Sequence, residues 1–241
     1  MKKKYLLTTE DGTSTLFLEE YEQAMHSMSG AYEESLLKHI IPSKILVNSY
    51  QHLNVLDIGF GLGYNVLALI NEFIIQKKSC KLNIISLEKD KNFIEYMNFI
   101  NFNDSRNIIY SFIKDVYNSG EGNYKNINFK ILFGDARETL KILSGIKFNA
   151  IFQDPFSPSK NPELWSKNYF EILKELLCET GIITTYSSAV HIRRAMIETG
   201  LHVGRGPSVG KKREGTISSL STIIEELSEA EKQDIISNIK S

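Results

Sequence analysis

The run Val55-Leu-Asp-Ile-Gly-Phe-Gly-Leu-Gly-Tyr-Asn65 narrows the possible folds of this 241-residue chain more than any other stretch. An apolar segment, Leu53 to Ile58, carries an acid near its end and runs into glycines at alternate positions, Gly59, Gly61 and Gly63. Such a run suits a parallel strand covered on both faces. Val66 to Ile75 reads as the helix that follows. Between them the chain must turn sharply and let other atoms approach its backbone, which a Cβ would obstruct. A strand, a glycine-rich turn and a helix predict an α/β sheet that holds a nucleotide-like ligand at its carboxyl edge. The plain alternative is a tight turn with no ligand.

The spacing is G-x-G-x-G, one residue short of the dinucleotide pattern G-x-G-x-x-G. Asp57 precedes the first glycine. A carboxylate there repels a pyrophosphate but suits the cationic amino acid portion of S-adenosylmethionine.

From Leu53 onward strands and helices alternate, which predicts βαβ units and a parallel sheet. Strands are expected at 53–58, 82–87, 129–133, 148–153, 182–185, 201–203 and 214–219. Helices are expected at 66–75, 90–102, 107–118, 137–143, 169–177 and 190–198, and Ser119 to Asn123 reads as a loop. Ahead of this core, Tyr5 to Thr9 and Thr13 to Leu18 flank Asp11-Gly12, a hairpin signal. Glu20 to Lys38 is expected to be helical and broken near Ser29-Gly30, with His26 as a structural histidine. The organisation expected is one domain: an elaboration over 1–45, a Rossmann-like core over 46–222 and a polar tail over 223–241.

With 42% hydrophobic and 24% charged residues, the chain can bury a sizeable core. No apolar run is long enough to span a membrane, so a cytoplasmic protein is expected. Cys80 and Cys178 stand far apart with no clustered histidines, which predicts neither a disulfide nor a metal site. The net charge of -1 does not announce a nucleic-acid binder, but Arg193-Arg194 and Lys211-Lys212-Arg213 are local basic clusters. They are either a phosphate-binding rim or a solvated helix face and loop.

Four acids stand at or beside strand ends: Asp57, Glu88, Asp135 and Asp154. Glu88 can accept both ribose hydroxyls. Asp135, beside the amide of Ala136, can accept an adenine amino group, or it caps a helix. Asp154-Pro-Phe-Ser-Pro158 resembles the Asp-Pro-aromatic motifs of enzymes that methylate amino nitrogen. A carboxylate within about 3 Å of an amine can orient it and receive its proton. Pro155 fixes the turn and Phe156 can stack on a base; the plainer reading is a turn that uses Asp and Pro for geometry alone.

Asp154 to Trp165, with its Pro-Ser-Lys-Asn-Pro-Glu-Leu-Trp run, resembles the methyltransferase domain of the MnmC family, which makes 5-methylaminomethyl-2-thiouridine in tRNA. The likeness continues through Gly59 to Asn65, Thr185 to Ala189, Val190 to Arg194 and Gly204 to Glu214. It also takes in Thr9 to Leu16 and His26 to Ala31. Pro155 stands where the family often has Gly or Ala. The resemblance implies a class I methyltransferase fold, α/β, with a mostly parallel seven-stranded sheet whose last strand is antiparallel. It implies S-adenosylmethionine as donor, no metal, and a tRNA anticodon stem-loop as substrate. Asp57, Gly59, Gly61, Gly63, Asn65, Glu88, Asp135 and Ala136 would hold the cofactor, with Asp154 catalytic. Pro155, Phe156, Lys160, Trp165, Arg193, Arg194, Lys211, Lys212 and Arg213 would meet the substrate. The family's stand-alone form, without an oxidase domain, is expected, with a separate enzyme supplying the aminomethyl group. The competing readings are transfer to a small free amine, by a methyltransferase or an aminopropyltransferase, and a catalytically inactive tRNA-binding protein.

Overall fold

A computed structural model describes residues 3–47, 50–208 and 214–237. The chain opens with strands β1 (Lys4–Thr8), β2 (Ser14–Leu18) and β3 (Gln23–Ala24), an antiparallel sheet in that order. The expected hairpin is present, its turn tied by Asp11, which accepts from the Thr13 N–H at 3.0 Å. Helix does not begin at Glu20 as expected. Residues 20–30 supply turns and β3, and α1 spans only Ala31–Ser35. The chain then widens into a π-turn over Leu36–Ile40, with Ile41 N–H donating to Leu36 O at 3.0 Å.

The core follows as β4 (His52–Ile58), α2 (Tyr64–Ile75), β5 (Lys81–Glu88), α3 (Phe93–Met97), α4 (Arg106–Ser119), β6 (Glu121–Tyr124), β7 (Ile127–Phe133), α5 (Ala136–Thr139) and β8 (Phe148–Gln153). The last elements are α6 (Lys167–Leu176), β9 (Leu177–Thr185), α7 (Val190–Glu198), β10 (His202–Arg205), β11 (Thr216–Ser219) and α8 (Glu229–Ser237). Strand order is β10-β11-β9-β8-β4-β5-β7-β6. The five central strands run parallel, and β11 lies antiparallel between β9 and β10. This is the expected Rossmann-like sheet with one strand more. Residues 121–124, read as a loop, pair antiparallel with β7 and blunt that edge.

Alternation decides which face each side chain serves. Leu53 and Val55 of β4 enter one core with Val66, Leu69 and Phe73 of α2, while Leu56 and Ile58 enter the other with Phe170 and Met196. α2 is buried nearly all round because the N-terminal elements cover its outer side. Nor is the segment from 223 a free polar tail: Leu227 and Ile235 are buried in the second core. Among the described residues no helix is long and apolar enough to cross a membrane, and no group of three or more His, Cys, Asp and Glu is placed to hold a metal ion.

β4 continues to β5 on one side and lies beside β8 on the other, so the connections part between β4 and β8. The two loops leaving these strands press together there. Asp154 N–H donates to Ile58 O at 3.0 Å, and a Cβ on Gly59 would lie 2.6 Å from Asp154 O. Gly59 also holds φ +86°, so it is needed for both conformation and clearance. Gly59→Ala should destabilise the fold by about 2 kcal/mol or more, from backbone strain and displacement of the β8 loop. Urea unfolding checks this; a loss below about 0.5 kcal/mol would mean that the loops part freely.

Candidate functional site

A cavity of about 230 Å³ opens where the connections part, at the carboxyl edge of β4, β5 and β8. Its floor is Gly59, Gly61 and Asn65, and one wall carries Glu88, Asp135 and Ala136. The opposite wall carries Asp154, Pro155 and Phe156. The N-terminal elements close it with Tyr21, Met25, His26, Glu34 and His39.

Asn65, at the start of α2, joins two strands. Its Nδ2 donates to Asp57 Oδ1 at 3.2 Å and to Asp154 Oδ2 at 2.9 Å. Asp57 has no exposure and also accepts from Ser86 Oγ at 2.8 Å. Burial raises its carboxyl to about 6, although Ser86 and Asn65 pull the other way. Asp154 keeps 22% of its side chain exposed. Burial pushes it up too, but the His39 imidazole 3.6 Å away, with the Asn65 amide, outweighs that and leaves it below the usual carboxylate range. Two neighbouring acids are thus driven in opposite directions, the deeper one toward the neutral form.

Glu88 ends β5 and ties the glycine loop to it. Its Oε2 accepts from Gly61 N–H at 2.8 Å, and Oε1 accepts from the N–H groups of Lys89 and Asp90 at 2.7 and 2.8 Å. Burial still raises it to about 7 against these three donors. Asp135 is a cap: Oδ1 accepts from Arg137 N–H at 3.0 Å, and the Arg137 guanidinium forks onto both oxygens. That guanidinium chiefly holds Asp135 at about 2. Since its side chain also reaches the cavity wall, the cap does not exclude a ligand.

The Asp154-Pro-Phe loop is braced from behind. Trp165 Nε1–H donates to Phe156 O at 2.9 Å and Tyr186 O–H donates to Pro155 O at 3.0 Å. Trp165 is buried and acts as a strut, its one donor spent inside the loop. Phe156, expected to stack on a base, already stacks on Tyr21 at 4.4 Å. Lys160 is exposed beside the lining Asn161.

Of the expected basic rim, only Arg193 and Arg194 are among the described residues. Arg193 is 6% exposed, and its guanidinium binds Thr216 Oγ1, Glu214 Oε1 and Gly215 O at 2.9–3.0 Å. It ties β11 to α7 through Nε and Nη2. Arg194 pairs with Glu198 one turn along the helix. Lys211, Lys212 and Arg213 lie outside the described residues. Gly63 and Asp57 sit behind the cavity: Gly63 caps α2 at φ +81°, with Phe60 packed where a Cβ would stand.

Reading the sequence missed His39. Its Nδ1 lies 2.8 Å from Thr184 Oγ1 and its Nε2 3.6 Å from Asp154 Oδ1. The signal available was a Lys38-His39 pair set between the apolar pairs Leu36-Leu37 and Ile40-Ile41.

The profile of a family described as S-adenosyl-L-methionine-dependent methyltransferase matches residues 106–221. MnmC2 of Aquifex aeolicus, known from a crystal structure, is 32% identical with a TM-score of 0.86, over 98% of this chain and 76% of that one. An uncharacterised protein of Methanocaldococcus jannaschii is 31% identical over 224 residues, 90% of this chain and 60% of its own. The tRNA 5-methylaminomethyl-2-thiouridine biosynthesis bifunctional protein MnmC of Leptospira interrogans is 31% identical over 229 residues, covering 89% of this chain. This chain spans only 35% of that protein.

The cavity suits S-adenosylmethionine, the donor used by this family. Seven carboxylates, among them Glu34, Glu88, Asp135 and Asp154, line a space that would receive a ligand carrying both an ammonium and a sulfonium. Asn65 Oδ1, on the floor, is a buried acceptor without a partner.

The two raised acids have a consequence for stability. A carboxyl raised on folding contributes stability that is complete below its unfolded value and lost as pH rises through its folded value. For Asp57 and Glu88 that window runs from about 4 up to about 6 and about 7. Without ligand, unfolding free energy should therefore increase by about 1–3 kcal/mol from pH 8 to pH 5. Glu88→Gln should flatten part of this slope in urea titrations. A wild-type stability that stays level or falls over that range would contradict the assignment.

Proposed function

Because the chain belongs to the MnmC family of S-adenosyl-L-methionine-dependent methyltransferases, we propose that it methylates the amine of 5-aminomethyl-(2-thio)uridine at the tRNA wobble position, giving 5-methylaminomethyl-(2-thio)uridine. The observation that carries the reading is Asp154, an ionised, partly exposed carboxylate at the cavity wall, held from behind on one oxygen and facing His39 on the other.

In this reading Glu88 accepts the ribose hydroxyls, Asp135 and the Ala136 amide hold the adenine, and Gly61 with Asn65 meets the methionine portion. When bound, S-adenosylmethionine supplies an electrophilic methyl group on its sulfonium. An amine attacks only through a free lone pair, so it must shed a proton if it arrives as an ammonium. Asp154 accepts a hydrogen bond from the amine, aims the lone pair and takes the proton as the nitrogen becomes cationic. The fixed backbone of the Asp154-Pro-Phe loop supplies alignment, which is worth as much as the proton transfer itself. The exposed lysines beside the mouth, Lys3, Lys89 and Lys160, are the described cations best placed for the anticodon-stem phosphates. Lys211, Lys212 and Arg213 belong to the same proposal on sequence grounds.

Asp154→Asn is nearly isosteric and should keep the fold and cofactor affinity. Its turnover on an anticodon stem-loop carrying 5-aminomethyl-2-thiouridine should fall by ~100- to 10,000-fold. Part of that loss should return at higher pH, where the amine is already free. A loss under about tenfold would leave Asp154 as a turn residue and remove the chemical basis of the reading.

A further inference from the structure

His39 lines the cavity wall, and the proposed chemistry has not used it. It lies on the π-turn over 36–40, a local widening that often marks a functional position. Its side chain is 2% exposed and both ring nitrogens already face protein groups, Thr184 and Asp154.

What surrounds it is ordered across the sheet. Ser86, Asp57, Phe152 and Thr184 stand in register on neighbouring strands β5, β4, β8 and β9. Ser86 binds Asp57, Thr184 binds His39, and the imidazole packs on Phe152 with ring centroids 5.5 Å apart. The ring is thereby held by the fully buried Thr184 hydroxyl on one edge and by the tilted Phe152 ring beside it. Its remaining nitrogen is directed to Asp154 Oδ1. The other Asp154 oxygen is held by Asn65, so the carboxylate has His39 on one side and an amide on the other.

Resting on the function proposed above, we infer that His39 is a positioning residue, which holds the Asp154 carboxylate in place and in its anionic form for the incoming amine. The other ionisable groups around the pair are Asp57 behind Asn65, His26 from the N-terminal sheet, Glu34 and Lys38 from the helical turns, and Tyr186 after β9. Lys38 directs its ammonium to Pro207 O at 2.7 Å. Burial opposes the anion, and among the groups that favour it His39 comes first, ahead of the Asn65 amide and His26.

The test uses His39→Gln, which keeps a polar donor and removes the ionisable ring. In the unliganded protein the side-chain ¹³C titration of Asp154 should move up by about one pH unit. Turnover should fall about tenfold or more, with S-adenosylmethionine affinity within about twofold of wild type. In an Asp154→Asn background the same change should cost nothing further, since the residue acts through that carboxylate. An unmoved Asp154 titration, or turnover losses that simply add, would overturn the inference. If His39→Gln does not fold, Thr184→Val releases the same imidazole and is read in the same way. Turnover surviving in Asp154→Asn alone would instead sink the proposed function, while the titration in His39→Gln still judges the coupling of the pair.

Discussion

One side-chain amide holds the two halves of the site together. Asn65 Nδ2 donates at once to Asp57 at the end of β4 and to Asp154 just after β8. Two carboxylates brought close in a low-dielectric setting repel, and one of them normally takes a proton. Here the amide lies between them, Ser86 supports the deeper acid, and His39 faces the shallower one. The burden of burial falls on Asp57 while Asp154 stays charged. Environments that push neighbouring acids apart are the usual mark of divided roles.

That division depends on the N-terminal elements. His39, His26 and Glu34 precede the first strand of the main sheet, yet all three border the cavity. Tyr21 stacks on Phe156, and Tyr64 accepts the Ser14 N–H at 3.0 Å, so the small sheet is tied to both the Asp154 loop and α2. The elaboration is a wall of the site, and the imidazole that faces Asp154 comes from it.

Much of this was legible in order along the chain. The strand, glycine turn and helix around Gly59, and the acids at the strand ends, follow from local pattern, because each is set by residues within a few positions. The roles of Gly63 and Trp165 were less legible. A glycine needed for left-handed φ and one needed for ligand approach look alike in sequence, and Trp165 shows its strut role only once Phe156 O is placed beside it. Arg193 misled for a related reason: Glu214 and Thr216, which bind its guanidinium, are 21 and 23 residues away. His39 was hard to read because its partners Asp154 and Thr184 lie 115 and 145 residues further along the chain. Residues 20–30 failed as a helix since strand pairing with β2 overrode their helical pattern.

The central claim is that this acid-lined cavity delivers a methyl group to the aminomethyl nitrogen of a tRNA uridine. It is tested most directly with methyl-labelled S-adenosylmethionine, offered together with tRNA bearing 5-aminomethyl-2-thiouridine and a pool of free diamines. Digestion to nucleosides and mass spectrometry should find the label on 5-methylaminomethyl-2-thiouridine and nowhere else. Label on the diamines, on another nucleoside, or on no acceptor at all would contradict the account.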